Sequence, residues 1–253
     1  MTEEHPAHSE LPPSSADKWF YCHAWRRLTH GVEDTSSAAA EEGTIAHAWM
    51  ADHLMAQRDL VDCDDPEMAD HLFMCVEWVN AQDGDLYVET RVDYGSAFGF
   101  TGLTGTSDLI FVAEDHLTIA DLKYGRMVVE VGETLLFGAE DSDDAAETRR
   151  ATNLQMLCYL VGAVEKFGPR PRYRLAILQP RAWHRDGPIR DAWLSHEELV
   201  TFKEKLAVAI KASYSPKAQA CAGPWCRHYC KALSRCKEAA KLSLDLFRKN
   251  PVE

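Results

Sequence analysis

The chain has 253 residues, an ordinary hydrophobic fraction of 46% and a formal net charge of −13. This length supports one substantial hydrophobic core, and the composition excludes a wholly disordered or fibrous protein. The sequence shows no signal peptide and no long apolar segment, so we expect a cytoplasmic protein that does not associate with a membrane.

The first third of the chain predicts a disordered tail followed by helices. Residues 1–13 are polar and proline-rich, and we expect them to be disordered. Ser14 or Ser15 is a suitable helix N-cap, and Asp83-Gly84 is a turn signal that separates the helical part from a strand. The elements predicted here are helices from residue 14 or 15 to about 28, over 43–57 and over 66–81, then a strand over 86–94.

Two apolar stretches, 109–113 and 117–122, predict a pair of antiparallel strands. Acidic residues occupy the short connection between them. If residues 114–115 form a two-residue turn, the register of the pair places Asp108 directly opposite Asp121. A three-residue turn would break this register, so the pairing is a hypothesis.

The acidic pair has a chemical consequence. Lys123 shares the face of Asp121, because side chains on a strand alternate with a period of two. Two carboxylates directly opposite each other lie roughly 5 Å apart, and like charges in that position are destabilising. A divalent cation removes the conflict, since hard cations prefer carboxylate oxygens. The alternative is an exposed hairpin with ordinary surface charges.

The second half of the chain alternates strands and helices. Residues 139–147 contain five acids and no large apolar side chain, which predicts a mobile loop. Ser195-x-x-Glu198 is a capping box that opens a helix. Trp183 and Trp193 lie between predicted elements, where they either stack on bases or pack. The predicted elements are a strand over 127–131, a helix over 153–168, a strand over 173–179 and a helix over 195–213.

Four short motifs occur in a fixed order along these elements. They are Gly43-x-x-x-His47, Gly105-x-x-Asp108, Asp121-x-Lys123 and Gln155-x-x-x-Tyr159. The last two residues share one helix face because they are four positions apart. This order resembles the RecB-like branch of the PD-(D/E)xK nuclease superfamily. The resemblance implies an α/β fold over residues 14–213, with a restriction-endonuclease-like core in which helices flank a mixed central sheet.

The resemblance also implies a metal site. His47, Asp108 and Asp121 are expected to bind one or two Mg²⁺ or Mn²⁺ ions, and the carbonyl of Leu122 is expected to join the coordination. Bound metal ions of this kind activate water and stabilise the pentavalent phosphate. Without the neighbouring motifs, His47 would be taken for an ordinary histidine of a helix.

The remaining motif residues are expected to support the reaction. Lys123 corresponds to the catalytic lysine of the family, which positions the attacking water and offsets charge at the phosphate. Gln155 and Tyr159 correspond to the motif that supports the site and contacts DNA. Glu42 and Glu89 are additional acidic candidates. The alternative for Gln155 is a solvated residue on a helix.

The cysteines form a second pattern. Cys226-x3-Cys230-x5-Cys236 is a clustered set with metal-ligand spacing, while Cys22 stands alone near the N-terminus. This layout resembles RecB-like nucleases in which one early and three late cysteines bind a [4Fe–4S] cluster, with zinc as the alternative occupant. The first spacing is one residue longer than expected, so Cys221 is an alternative ligand. Three further cysteines are expected to be small buried apolar residues: Cys63, Cys75 and Cys158.

Charge is unevenly distributed along the chain. Residues 211–249 carry nine Lys or Arg and two Asp or Glu, a local charge of +7, which leaves −20 on the rest of a chain of net charge −13. This asymmetry predicts a localised nucleic-acid surface within the C-terminal segment 214–253, next to the cysteine cluster. A solvated basic helix is the alternative.

The sequence therefore predicts a metal-dependent DNA nuclease, an exonuclease rather than an endonuclease. A chain of this size without a helicase domain resembles the stand-alone nucleases of phage and prophage recombination, which implies a bacterial host cell. The expected partners are the ends of linear DNA, a single-strand annealing or single-stranded DNA-binding protein, and further copies of this chain. Two alternatives stay open: a CRISPR-adaptation-type nuclease, and a catalytically silent DNA-binding subunit of the same fold.

Overall fold

A computed structural model describes residues 9–32, 37–137, 146–226 and 230–249. Within them the chain forms helices and strands that alternate along most of its length. The helices are α1 Ala16–Trp19, α2 Trp25–Thr29, α3 Ala38–Leu54, α4 Pro66–Asn80, α5 Leu154–Phe167, α6 His196–Ser213 and α7 Lys237–Lys249. The strands are β1 Asp85–Asp93, β2 Thr104–Val112, β3 His116–Leu122, β4 Gly132–Phe137, β5 Ala146–Ala151, β6 Arg172–Leu178 and β7 Ile189–Ser195.

The strands form one mixed sheet in the order β1-β2-β3-β6-β7-β5-β4. Strands β1, β2 and β3 are antiparallel neighbours, β3 and β6 are parallel, and β7 returns antiparallel to β6. These five strands form a continuous ladder. The hairpin of β4 and β5 joins them through a single pair, Arg150 with Trp193.

Helices cover both faces of the sheet, which gives a three-layer α/β architecture. On one face, α5 and α6 pack with Ile110, Ile119 and Leu175 in a core that also includes the N-terminal segment. On the other face, α3 and α4 pack with Leu109 and Ala120. Alternate residues of β2 and β3 therefore enter opposite cores, and this explains why both strands are apolar along most of their length. The mixed α/β class is confirmed.

The helix N-termini follow the sequence signals. The Ser195 side chain accepts from the Glu198 N–H, and the Glu198 carboxylate accepts from the Ser195 N–H, so the predicted capping box forms. Asn153 caps α5 by accepting from the Met156 N–H. Such caps satisfy amide groups that have no partner inside the helix.

Two N-terminal predictions need correction. Leu11 is fully buried, and Trp19 donates its indole N–H to the Pro12 carbonyl, so the ordered core begins before residue 14. Residues 1–8 lie outside the described part of the chain. The single helix predicted up to residue 28 is instead two short helices, α1 and α2, because the chain turns between them at Cys22.

The strand predicted over 127–131 is also wrong, because the structure has its next strand at β4. The backbone of this stretch is bound by a side chain instead of a neighbouring strand. Gln179 donates its amide to the carbonyls of Gly125 and Met127, and its carbonyl accepts from the Val129 N–H. The acidic loop predicted over 139–147 lies mostly outside the described residues, and its last two residues belong to β5.

None of the helices within the described ranges is both long and apolar enough to cross a membrane.

Candidate active site

The β2–β3 hairpin has the predicted register. Leu109 pairs with Ala120, and the Ala113 N–H bonds to the His116 carbonyl, so the turn contains two residues. Asp108 and Asp121 lie one position beyond the last of these pairs. Asp108 lies in the middle of β2 and Asp121 near the end of β3, where Asp121 contacts Gln155 of α5.

Asp121, Lys123 and Gln155 form a closed ring of contacts. The Lys123 ammonium lies 2.7 Å from Asp121 Oδ2 and donates to Gln155 Oε1 at 3.0 Å. The Gln155 amide donates to Asp121 Oδ1 at 3.1 Å and to the Tyr159 hydroxyl at 3.2 Å. The four residues of the last two motifs are thus brought together, and α5 supplies half of them.

Asp108 connects this ring to α3. Its Oδ2 accepts from the Leu122 N–H at 2.8 Å and lies 3.2 Å from His47 Nδ1. The first motif therefore meets the second. The Leu122 amide holds Asp108 against β3, and coordination of a metal by the Leu122 carbonyl stays a prediction.

Glu89, an additional acidic candidate in the sequence, lies beside Asp108 and His47. One oxygen of Glu89, one of Asp108 and a ring nitrogen of His47 all lie within 4.8 Å of one another. In the β1–β2 register, Val88 pairs with Leu109 and Thr90 pairs with Ser107, so Glu89 stands opposite Asp108. Glu89, Asp108 and Asp121 therefore form a row across β1, β2 and β3.

The backbone of β1 is unusual at this point. Glu89 has φ of 43°, in the left-handed region that non-glycine residues seldom adopt. Val88 packs in the core of α3 and α4, whereas Val92 packs in the core of α5, although two even-numbered residues of a regular strand share one face. The strand thus reverses its faces near Glu89. Such irregularities often re-aim a side chain next to a functional site.

Burial and charge shift the protonation of these groups. Burial raises the pKa of Asp121, against the opposing effect of Lys123, and Asp108 adds to the rise. Burial opposes the charged form of Lys123, but Asp121 outweighs it, so the pKa of Lys123 is raised. Partial burial and repulsion from Asp108 raise the pKa of Glu89. The site concentrates more negative charge than its single lysine balances.

Burial and neighbouring charge also act on the pKa of His47. Burial of the ring disfavours its protonated form, but the hydrogen bond to Asp108 and the negative charge of that carboxylate are stronger together, so the pKa of His47 is raised. A histidine must be neutral to ligate a metal. Metal binding and protonation of His47 therefore compete.

Gly105, the glycine of the second motif, has a packing role. A Cβ at this position would lie 2.7 Å from Tyr159 Cε1 and 2.7 Å from Pro13 Cγ. The missing side chain lets the Tyr159 ring rest on β2, where its hydroxyl meets Gln155. In contrast, a Cβ on Gly43 would meet nothing within 4 Å, and nothing in the structure explains that glycine.

The donor set fits a hard divalent cation. Two carboxylates and one imidazole converge within 4.8 Å, and carboxylate oxygens are the ligands that Mg²⁺ and Mn²⁺ prefer. Asp121 Oδ2 is buried, and no donor reaches it with hydrogen-bond geometry, although Lys123 is close. Glu89 therefore joins His47 and Asp108 as a candidate ligand, while Asp121, which lies beside Lys123, stays an expected ligand. Glu42 instead forms an ion pair with Arg181 at 2.7 Å.

The cysteines form a separate site where the two ends of the chain meet. Cys22 and Cys226 are buried, and they line one narrow cavity with Cys221, Cys230 and Cys236. Burial is the main cause that raises the pKa of Cys22 and Cys230, and the charges of the other cluster thiols add to it. Cys221 is exposed and contributes its backbone N–H, which donates to Cys22 Sγ at 3.4 Å.

Among the described residues, no three of these sulfurs lie within 4.8 Å of one another. Of the other cysteines, Cys75 and Cys158 are buried.

Residues 8–252 match the model of a family described as "Protein of unknown function (DUF2800)". The chain belongs to the DUF2800 family. This DUF2800 protein also shows a distant similarity to a solved structure described as "Crystal structure of SSO0001", with 13% identity over 94% of this chain and 89% of that chain, and a TM-score of 0.36. A similarity at this level assigns no function.

Proposed function

We propose that this DUF2800 protein is a metal-dependent deoxyribonuclease of the RecB-like PD-(D/E)xK type, with a restriction-endonuclease-like core, and that it removes nucleotides from the ends of linear DNA. The observation that carries the proposal is that residues of four sequence motifs meet around strands β2 and β3. His47, Glu89 and Asp108 meet there within 4.8 Å, beside the ring of Asp121, Lys123 and Gln155.

Each group has a defined task in phosphodiester hydrolysis. His47, Glu89 and Asp108 would hold Mg²⁺ or Mn²⁺, which supplies a Lewis acid for the phosphate and an acidified water. Lys123 stays protonated beside Asp121 and presents positive charge to the phosphate. Gln155 fixes the Lys123 ammonium through its carbonyl oxygen, and its amide orients Asp121.

The cysteine site supports a structural [4Fe–4S] cluster in this proposal. Cys22, Cys226, Cys230 and Cys236 would be its ligands, and the Cys221 N–H donates to Cys22 Sγ. Cys221 also lines the cavity and stays the alternative ligand. Backbone hydrogen bonds to sulfur are a common feature of such clusters. Protein purified without oxygen should be brown, and dithionite should bleach its visible absorbance. A colourless protein that contains zinc would show that zinc, and not an iron–sulfur cluster, occupies this site.

The activity is tested by digestion of end-labelled DNA. Linear duplex, linear single-stranded and closed circular DNA are incubated with the wild type in Mg²⁺, Mn²⁺ or EDTA. We expect loss of the linear substrates with either metal and no reaction in EDTA. Cleavage that persists in EDTA contradicts the mechanism, and the absence of cleavage with either metal supports the silent DNA-binding subunit. Rapid cleavage of the circular DNA would make the enzyme an endonuclease.

A further inference from the structure

Two loops next to Lys123 form a platform that the proposed chemistry does not use. They are residues 124–131 and 179–187, which follow the parallel strands β3 and β6. The Lys123 N–H donates to the Leu178 carbonyl at 2.8 Å, so both loops leave the sheet beside the catalytic lysine. We call these two loops the two-loop platform.

Buried polar groups bind the two loops to each other. Gln179 is fully buried and, as described above, bonds to three backbone groups of the first loop. Arg190 is also buried and donates to Gln179 Oε1 at 2.7 Å and to the Val129 carbonyl at 3.0 Å. At the outer end, His184 Nε2 lies 3.3 Å from Glu130 Oε1. These hydrogen bonds, most of them partly buried, hold the two loops against each other.

The platform exposes large apolar side chains. Trp183 has 86% of its surface exposed, and Met127 has 54% exposed on the facing loop. Within the described residues the Trp183 indole makes no hydrogen bond and no ring contact. Packing, one of the two roles considered for this tryptophan, is therefore not its role. An exposed indole on a hydrogen-bonded loop, with an exposed methionine on the facing loop, is a candidate interaction surface.

The charge around Trp183 indicates the class of ligand. Two of the four Lys or Arg in the two loops and at Lys123 are paired with acids outside the loops: Lys123 with Asp121, and Arg181 with Glu42. The other two, Arg126 and Arg185, are exposed, and Arg126 forms no ion pair with the described residues. Two exposed arginines on the loops that carry an exposed indole match a polyanion with aromatic faces. Nucleic acid is such a ligand, since bases stack on tryptophan while the phosphates meet the cations.

Base pairing determines which bases an exposed indole can stack on. The faces of internal bases in a duplex are covered by their neighbours, so an indole at the surface stacks only on an unpaired base or on a terminal pair. We propose that the two-loop platform binds an unpaired nucleotide of the DNA strand, with its base stacked on Trp183, and so delivers a single-stranded end to Lys123. This inference rests on the proposed nuclease function and adds the substrate class.

The test measures binding without cleavage. Fluorescence anisotropy of labelled oligo(dT) is recorded in EDTA for the wild type and for Trp183→Ala, Trp183→Phe and Val208→Ala. Val208 is the matched control, because it is an apolar side chain with 66% exposure on α6. Loss of one base–aromatic stack, roughly 1–3 kcal/mol, predicts about 5- to 150-fold weaker binding for Trp183→Ala. Trp183→Phe keeps a stacking ring and should stay within a few-fold of the wild type, as should Val208→Ala.

Intrinsic fluorescence provides a second readout. Oligo(dT) should quench part of the wild-type tryptophan emission, and this part should be missing in Trp183→Phe even though that variant still binds. A blunt duplex should bind the wild type and Trp183→Ala with similar affinity. Equal oligo(dT) binding by Trp183→Ala and the wild type overturns the inference and leaves the indole for another ligand, such as a protein. An equal loss in Val208→Ala, or an equal loss for the duplex, also overturns it.

The same samples separate this inference from the nuclease proposal. If the wild type binds oligo(dT) through Trp183 but cleaves no DNA in Mn²⁺, the nuclease proposal fails and the delivery of DNA ends fails with it. If the wild type cleaves DNA and Trp183→Ala binds and cleaves single strands equally well, the platform alone is wrong.

Discussion

The carboxylate site and the cysteine site are built in opposite ways. The carboxylate site arises from strand register, since β1, β2 and β3 place Glu89, Asp108 and Asp121 in one row, and helices supply the partners. The cysteine site arises where irregular segments from the two chain ends meet: the Ala24 N–H donates to the Gln219 carbonyl at 3.1 Å. The first site is held by hydrogen bonds and ion pairs among its own residues, whereas we expect the second to depend on the metal that its sulfurs bind.

This difference predicts which residues affect activity and which affect folding. Substitutions in the carboxylate row should remove catalysis and leave a folded protein, provided that no buried charge loses its partner. Substitutions of the cysteines should remove stability first.

The largest expected effect is at Lys123. Lys123→Met removes the charge that faces the phosphate, and loss of one such electrostatic group typically lowers the rate by about 10²–10³-fold. It also leaves the buried Asp121 without its ion-pair partner, which should lower the free energy of unfolding by about 3–5 kcal/mol. Single-turnover cleavage and urea unfolding measure the two effects.

A double substitution separates activity from stability at this pair. Asp121→Asn combined with Lys123→Met removes both charges, so it should recover most of the lost stability and none of the lost activity. Equal stability of the Lys123→Met single variant and the wild type would show that Asp121 is not held as a buried ion pair.

Cys22 tests the cysteine site. Metal-binding free energy counts toward folding, so Cys22→Ser should lose the bound iron and lower the free energy of unfolding by more than about 3 kcal/mol. The matched control is Cys63→Ser, at a partly exposed cysteine away from the cavity. Iron content and thermal unfolding of anaerobic samples measure the outcome. Retention of iron in Cys22→Ser, or its loss in Cys221→Ala with retention in Cys226→Ala, would contradict the ligand assignment.

The two motif glycines give a smaller and more local test. Gly105→Ala places a methyl group 2.7 Å from the Tyr159 ring, and such overpacking should cost about 1–3 kcal/mol and displace the Tyr159 contact with Gln155. Gly43→Ala meets open space in the α3 helix and should stabilise the protein by roughly 0.5–1 kcal/mol. Denaturant unfolding of both variants should therefore shift in opposite directions, and shifts of the same sign would refute this account of Gly105.

The smallest expected effect concerns pH. The folded state raises the pKa of His47. In metal-free protein His47 therefore contributes stability that is fully present below its unfolded pKa of about 6.5 and is lost as the pH rises through the folded value. His47→Gln should be less stable than the wild type at pH 6, with the difference shrinking toward pH 9. The control is His30→Gln, at an exposed histidine. A difference in stability between the wild type and His47→Gln that grows with pH would contradict the assignment.

Strand register explains why so much of the carboxylate site was predictable. The two-residue turn after β2 fixes the Asp108–Asp121 relation by local geometry, and the cap at Asn153 fixes where α5 presents Gln155. Glu89 was harder to place, because its pairing with β2 depends on the irregular connection between β1 and β2 and on a left-handed backbone that no residue type announces.

The other misses have a common physical cause. The apolar residues of the stretch 127–131 predict a strand, but the backbone groups around it are bound by the side chain of the buried Gln179, which is distant in sequence. Likewise, Leu11 is buried by residues that the local sequence does not reveal, among them Tyr94, whose hydroxyl donates to the Leu11 carbonyl. Tertiary contacts, rather than local propensity, decide both segments.

The central claim is that His47, Glu89 and Asp108 bind the metal that makes cleavage possible. The most direct measurement records Mn²⁺ binding by electron paramagnetic resonance and cleavage of linear DNA on the same samples of wild type, Glu89→Gln, Asp108→Asn and the ion-paired control Glu42→Gln. We expect Glu89→Gln and Asp108→Asn to lose Mn²⁺ affinity and cleavage together, while Glu42→Gln keeps both. Wild-type Mn²⁺ binding in Asp108→Asn, or undiminished cleavage in Asp108→Asn, would contradict the claim.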